Sequence, residues 1–548
     1  MVARAPIALP LLVVAAVVAL GWNLGGYHLL DPDEGRNAEV AREMVASGDY
    51  VVPHLDGLPY LDKPVLYFAA AAAAIKVLGP TEIAVRLPAL LATIATVALL
   101  ITFARRRWGA TAGWVAGLSF ATMPMALGYA HVVLFDSTLT LSTTAAMVAL
   151  AAGRPALAWG AVALGALTKG PVALAVPAVA IVPYAVATGT PARRFVSWGG
   201  LAVFAGVALP WFGTVWARFP EFPGYVFGRE TLLRFATPAF HRWAPMWYYI
   251  PILAAGAFPW IIPACAGLGR WRAAWRARRQ PGPHEAILLG AWVVGPFLLF
   301  TLDQSKLPQY VLPLLPPLAL AAAREIAARG AGTAWRAYLG AAVGVALALL
   351  FLPPSLGAAL PLTPAERAAM GPTALLLGAA LLASAAGVVL AAHVERVDVG
   401  VLAYALPGFC IALGSGRLMR AVGEDRSAAQ LAAGIAPVLG AGGQVLGVAT
   451  YPPSLPFYLR RTMAVATADG HELTSNYLST FAPVFRGPAS PLQPPDQWRR
   501  ALDTCPAPTV FVVRAGDAAT RTALAALPVI ADDGHLVAYG PCRPTGHG

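Results

Sequence analysis

The sequence predicts an all-α polytopic membrane bundle followed by a C-terminal α/β domain, and three observations predict it. Of 548 residues, 58% are hydrophobic and only 12% charged, with a mean hydropathy of +0.64, whereas soluble globular domains carry roughly 25% charged residues. Apolar stretches of about 20 residues, long enough to cross a hydrocarbon core of roughly 30 Å, recur from the N-terminus to residue 418. Beyond residue 420 the texture changes to short β-branched runs separated by polar segments.

The first stretch, Ile7 to Trp22, follows Arg4 and lacks a small-residue cleavage motif, so it reads as a retained signal anchor. A polar segment from Gly25 to Lys63 follows. Of the next two apolar stretches only one can cross if the arginines at 105–107 are to lie inside with Arg4. Val65 to Leu78 is short and carries Lys76, so it reads as a re-entrant or interfacial helix, and Ile83 to Phe103 as the span. Further spans are expected at 109–128, 138–153, 155–169, 171–188, 195–216, 247–268, 285–302, 308–323, 336–352, 372–392 and 399–418, about thirteen in all.

The formal charge is +12, which raises nucleic-acid binding as a possibility. The basic residues instead cluster in short loops between apolar stretches, at Arg105 to Arg107, Arg193 with Arg194, and Arg270 to Arg279. Such loops mark the cytoplasmic side, so the charge reports topology and no nucleic-acid partner is expected. An odd number of spans then places everything after Arg420 outside.

The expected domains are a transmembrane domain over 1–419, with a first outer loop at 24–80, and a periplasmic α/β domain over 420–548. Within the latter, Ser427 to Leu439 reads as a capped helix, and Gln444 to Thr450, Thr509 to Ala515 and His535 to Gly540 as strands. Cys505 and Cys542 are the only cysteines there, in a compartment that permits a disulfide between them. Cys265 and Cys410 fall in spans as small apolar residues. Motifs for zinc proteases, P-loops and nucleophile elbows are absent from the sequence.

Ionisable groups near membrane depth are costly and therefore mark function. The first outer loop contains LDPDEGRNAEVAREM, in which Ala38, Ala41, Met44 and Val45 follow Asp33 at helical spacing and suggest a surface helix. Asp33 would stand at its start, as a cap or as a functional carboxylate. A second acid, Asp136, is expected at the outer face, with Lys63, Lys169, Lys306 and the cations of the 216–247 loop. Cations outside run against the positive-inside bias and suit an anionic headgroup.

The segments LDPDEGRNAEVAREM, PHLDGLPYLDKP, LTKGPVALAVP, FATPAFHRWAPMWYYIP, KLPQYVLPLLPPLAL and YPPSLPFYLRR resemble motifs of the bacterial lipid A aminoarabinose transferases. These are GT-C membrane glycosyltransferases related to protein O-mannosyltransferases. The resemblance implies an inverting transferase that moves a sugar from polyprenyl phosphate to an envelope acceptor, with 4-amino-4-deoxy-L-arabinose and lipid A phosphate as one pair. A protein hydroxyl or another envelope glycan is the alternative acceptor, and a lipid-linked sugar transporter the alternative class. Asp33 and Asp136 would be catalytic, and Arg36, Tyr60, Lys63, Lys169 and Tyr310 would bind the donor phosphate and lipid. Asp62 and His241 match a possible divalent-metal pair, with Asp62 where the family more often has glutamate; no nucleotide is implied. Asn37 stands where close relatives usually have tyrosine. The implied location is the bacterial inner membrane, with the active site and the C-terminal domain facing the periplasm.

Overall fold

The computed structural model describes residues 7–238, 240, 242–280, 284–332, 334–351, 362–440 and 442–542. In chain order, α1 (Ala8–Gly21) is followed by α2 (Asp33–Ser47), a two-stranded hairpin of β1 (His54–Leu55) and β2 (Leu58–Pro59), and α3 (Leu66–Leu78). Next come α4 (Glu82–Trp108), α5 (Ala110–Thr122), α6 (Pro124–Ala130), α7 (Asp136–Ala151), α8 (Pro155–Lys169), α9 (Val172–Thr188) and α10 (Trp198–Arg218). A π-helix, Gly224–Leu233, precedes α11 (Tyr249–Gly256), α12 (Ile261–Ala266), α13 (Leu268–Arg276) and α14 (Glu285–Leu302). The 3-10 helix Pro308–Leu314 leads into α15 (Leu315–Arg329), then α16 (Trp335–Leu350), α17 (Pro364–Val394), α18 (Val397–Gly414) and α19 (Gly416–Asp425). The remainder alternates: α20 (Ala429–Leu439), β3 (Gln444–Val448), α21 (Ser454–Leu459), β4 (Ala464–Ala466), α22 (Asn476–Phe485), β5 (Leu492–Gln493), α23 (Gln497–Thr504), β6 (Thr509–Arg514), α24 (Ala518–Ala523), β7 (Val529–Asp532) and β8 (Leu536–Cys542).

Contacts divide the chain into two units, Met1–Leu24 with Arg86–Leu418, and Gly25–Val85 with Met419–Gly548. The first outer loop, expected in the transmembrane domain, instead belongs with the C-terminal residues, because its polar side chains find their partners there.

The first unit is helical. Among the described residues six helices are long and apolar enough to cross a membrane, seven if the bent pair α5–α6 is one span; the chain is a multi-pass membrane protein. The expected span at 109–128 is this pair, bent by 64° where Pro124 interrupts the hydrogen-bond ladder. The expected continuous span at 247–268 is a correction. It is broken into α11 and α12 before Pro259, whose ring offers no N–H to a helix. The stretch at 308–323 likewise begins as a 3-10 helix because Pro308 and Pro313 remove two donors.

Close helix contacts rest on small residues. A Cβ on Gly295 would fall 2.2 Å from the Val179 carbonyl oxygen, and one on Gly408 2.3 Å from that of Thr122. Glycine there lets backbones approach, which is how helices gain dispersion energy where lipid offers no hydrophobic drive. The polar edges of buried aromatics are satisfied locally: Trp260 Nε1 donates to Thr122 Oγ1 at 2.9 Å.

The second unit contains a six-stranded sheet of order β5-β4-β3-β6-β8-β7. β3 through β6 are parallel and β8 runs antiparallel to both β6 and β7. The three expected strands are β3, β6 and β8, while β4, β5 and β7, of two to four residues, are too short to show alternation. The expected capped helix is α20; Ser427 Oγ accepts from the Ala429 N–H at 3.3 Å, although the N-cap position is Ala428. The β1–β2 hairpin turns at Asp56-Gly57, both at positive φ, as a two-residue I′ turn requires.

α2 stops at Gly48, whose φ of 73° forms a left-handed cap. Its apolar residues Ala38, Ala41 and Met44 are fully buried, with Glu34 and Asn37 buried beside them, and so is Glu39 on the opposite face. The helix packs against α3 and α21, so protein surrounds the faces that a surface helix would give to lipid and water.

Cys505 and Cys542 are disulfide-bonded, with Cα atoms 6.0 Å apart and a sequence separation of 37. Cys265 and Cys410 are free thiols. A loop of that length implies that the Cys505→Ser, Cys542→Ser variant loses about 2–4 kcal/mol from the C-terminal residues. Hydrogen exchange of β6 and β8 with and without reductant measures it; identical protection would reject the estimate.

Candidate active site

In the second unit Asp33 is the first residue of α2, its N-cap is Pro32, and its carboxylate caps nothing. The side chain is 51% exposed and accepts from Arg36 Nη2 at 2.5 Å. The spacing of three residues places both on one helical face. Arg36 is fixed from the other side, where Nη1 donates to Thr474 O at 2.7 Å and to Thr474 Oγ1 at 2.9 Å. Burial works against the guanidinium charge, but Tyr60, Asp33 and Asp62 outweigh it and raise its pKa. Tyr60 is 2% exposed, and burial raises its phenol, so it is a neutral donor. Lys63 Nζ donates to Asp62 O at 2.7 Å. Four of the expected residues, Asp33, Arg36, Tyr60 and Asp62, therefore interact in one cluster, with Lys63 beside it.

Asp62 has a role the sequence did not suggest. Its Oδ2 accepts from Ser475 Oγ at 2.5 Å and its Oδ1 from the Tyr477 N–H at 3.0 Å. These groups begin α22, where exposed N–H groups and the helix dipole favour an anion. Both carboxylate oxygens thus anchor the first outer loop to α22. His241, the other expected ligand, lies outside the described residues.

A further group of carboxylates has no motif in the sequence. Ligand atoms of Glu39, Glu43 and Asp56, all buried, lie within 4.8 Å of one another. Each is tied into the fold: Glu39 takes Arg42 at 2.6 and 2.7 Å, Glu43 takes the Asp56 and Gly57 N–H groups, and Asp56 takes the Met463 N–H. They lock the β1–β2 hairpin against α2.

Asp31, just before α2, accepts from Ser454 Oγ at 2.7 Å through Oδ2, while Oδ1 is buried without a hydrogen bond. Burial pushes its carboxyl up to about 7, against hydrogen bonds from Ser454 that lower it. The folded state therefore holds this proton more tightly than the unfolded chain. The stabilisation is full below about pH 4 and is lost as pH rises through 7. Asp31→Asn should flatten this part of the stability–pH curve of the second unit, followed by hydrogen exchange of α2. Parallel curves for wild type and variant would contradict the assignment.

In the first unit Asp136 opens α7 and Lys169 closes α8. The two helices, 16 and 15 residues long, are antiparallel and joined by a short turn at Gly153–Arg154. Equal rise brings their far ends level, so Lys169 Nζ lies 2.5 Å from Asp136 Oδ1, with side-chain exposures of 13% and 2%. The Lys169 ammonium also sits 4.9 Å from the centre of the Tyr310 ring. Tyr310 OH accepts from Arg234 Nη2 at 2.5 Å, and Arg234 pairs with Glu230 of the π-helix at 2.8 Å. Lys306 Nζ donates to Asp303 O at 2.6 Å. Asp136, Lys169 and Tyr310 are thus brought together as expected. Arg234, noted only as one of several loop cations, joins them, with Glu230 and Asp303, which had no local signal.

Both clusters present cations and neutral phenols beside carboxylates, a donor set suited to a phosphate whose charge changes during reaction. Residues 62–216 match the family model described as dolichyl-phosphate-mannose-protein mannosyltransferase. The undecaprenyl phosphate-alpha-4-amino-4-deoxy-L-arabinose arabinosyl transferase of Edwardsiella ictaluri is 38% identical over 316 residues, 54% of this chain and 55% of that protein. The enzyme of the same name from Aeromonas salmonicida is 35% identical over 355 residues, 60% of this chain and 63% of that protein. The chain spans about half the length of the curated relatives it matches. In structure it is similar to ArnT from Cupriavidus metallidurans bound to undecaprenyl phosphate, with a TM-score of 0.82 and 27% identity, covering 97% of this chain and 98% of that one. In sequence over half its length and in fold over nearly all of it, the chain resembles the aminoarabinose transferases, GT-C membrane glycosyltransferases.

Proposed function

We propose that the chain is an inverting glycosyltransferase of the bacterial inner membrane that moves a sugar from polyprenyl phosphate to an envelope acceptor on the periplasmic side. Its first candidate sugar and acceptor are 4-amino-4-deoxy-L-arabinose and a lipid A phosphate. The observation that carries the reading is Asp33, an accessible carboxylate that caps no helix and is held in place by an arginine buried behind it. The named relatives and the similarity to a structure holding undecaprenyl phosphate support the donor. The Arg-rich loops support the orientation.

The leaving group departs as a polyprenyl phosphate anion, and the charge growing on its oxygens needs cations already in position. Lys169 and Arg234 are assigned to that work, with Tyr310 as a neutral hydrogen-bonding group. Arg36 positions Asp33. An acceptor phosphate is already a nucleophile, so Asp33 orients it; an acceptor hydroxyl requires Asp33 as general base. No step is assigned to a metal.

The protein mannosyltransferase model over 62–216 favours a second acceptor class, a protein hydroxyl. Purified protein given undecaprenyl-phosphate aminoarabinose should increase the mass of lipid A by one aminoarabinose unit. A mass increase on peptide instead selects the second reading, and no transfer from any polyprenyl-phosphate sugar rejects both.

A further inference from the structure

Within the first unit, a cavity of about 310 Å³ opens far from Asp136 and Lys169. It is lined by Leu150 and Ala151 at the end of α7 and by Ile181, Tyr184 and Thr188 at the end of α9. Asp136 begins α7, so the cavity lies roughly 22 Å away along that helix. It is the end of the bundle that bears the Arg-rich loops, and nothing in the proposed transfer reaction uses it.

Its polar lining is unbalanced. Arg107, Arg194 and Arg279 face a single carboxylate, Glu285. That carboxylate is already engaged, by Arg107 at 3.4 Å and by Trp108 Nε1 at 2.8 Å. Arg107 is further held by the Ala151 carbonyl at 2.8 Å. Among the described residues Arg194 and Arg279 form no ion pair. Arg279 lies across the α9 terminus, with Nη1 2.9 Å from where a Cβ on Gly189 would stand, and Gly189 has φ +73°. A side chain at 189 would push this guanidinium end aside, and the positive φ favours glycine there.

A second observation points to a ligand. Trp292 lines the cavity, is 1% exposed, and its Nε1–H has no hydrogen-bond partner. An indole N–H can only donate, and leaving it unmet in an apolar interior is costly. The rest of the lining, including Phe103, Leu150, Ile181 and Leu288, is apolar. Unpaired guanidinium groups above an apolar floor suit a group that is anionic at one end and hydrocarbon beyond it.

We infer that this cavity binds a phosphate group, that of a lipid headgroup or free phosphate, through Arg194, Arg279 and the Trp292 N–H. Delipidated full-length protein in detergent is titrated calorimetrically with dioctanoyl phosphatidic acid and, separately, with inorganic phosphate. Saturable binding of the lipid but not of the ion identifies a headgroup site; binding of both identifies a site open to free phosphate. In either case R194Q/R279Q should weaken that binding by on the order of tenfold or more. W292F, which keeps the ring and removes only the donor, should weaken it several-fold. Absence of saturable binding, or binding that neither variant changes, overturns the inference. If the arginine variant fails to fold, W292F alone decides. Both variants should retain transfer activity, so the outcome is independent of the proposed reaction.

Discussion

Replacing Asp33 by asparagine should lower sugar transfer by about 100-fold or more, the range expected when a general base or orienting carboxylate is removed, with almost no loss of stability. The side chain is half exposed and makes one ion pair with Arg36, and such pairs contribute about 1 kcal/mol or less. Arg36 keeps its two bonds to Thr474 in the variant, so the loop is not released. Asparagine retains size and a hydrogen-bond acceptor but neither takes a proton nor carries charge. Turnover with undecaprenyl-phosphate aminoarabinose and a thermal melt on the same sample separate the two effects. Transfer within a few-fold of wild type would remove Asp33 from the chemistry, and a matching collapse of stability would make it structural.

Lys169→Ala should destabilise the first unit by about 3–5 kcal/mol, because it strands a buried carboxylate without its counter-ion. Asp136 is only 2% exposed and lies 2.5 Å from Lys169 Nζ. The double variant D136N/K169Q replaces two charges by two amides that can bond to each other, and it should recover most of that loss. Transfer should stay low in both variants if Lys169 meets the leaving phosphate, since the double variant restores packing without the cation. A double variant no more stable than Lys169→Ala would show that the pair is not coupled. Wild-type transfer by the double variant would show that the pair serves only the fold.

The Asp33–Arg36 pair was legible because three residues along a helix is a local relation. Thr474, which holds Arg36 438 residues further on, left no trace in that segment. Asp136 and Lys169 were expected on one face from counting spans; their direct contact depends on the matched lengths of α7 and α8. Asp62 was read through family resemblance as a metal ligand, while its hydrogen bonds to the start of α22 depend on a segment 413 residues away. The expected span at 247–268 failed at Pro259 because hydropathy registers apolarity and is blind to a missing N–H. The strands at 464–466 and 492–493 were missed because a run of two or three residues carries no period.

Hydropathy, the placement of arginines and the change of texture near residue 420 determined by themselves that this is a membrane bundle with an α/β domain after it. Transfer free energies add residue by residue along the chain, so a sum over local sequence suffices. Which acid meets which base, and that the first outer loop folds with the C-terminal residues, was decided only by tertiary structure. A hydrogen bond or ion pair exists only within about 3–4 Å, and between residues hundreds of positions apart that distance is set by the packing of every element between them.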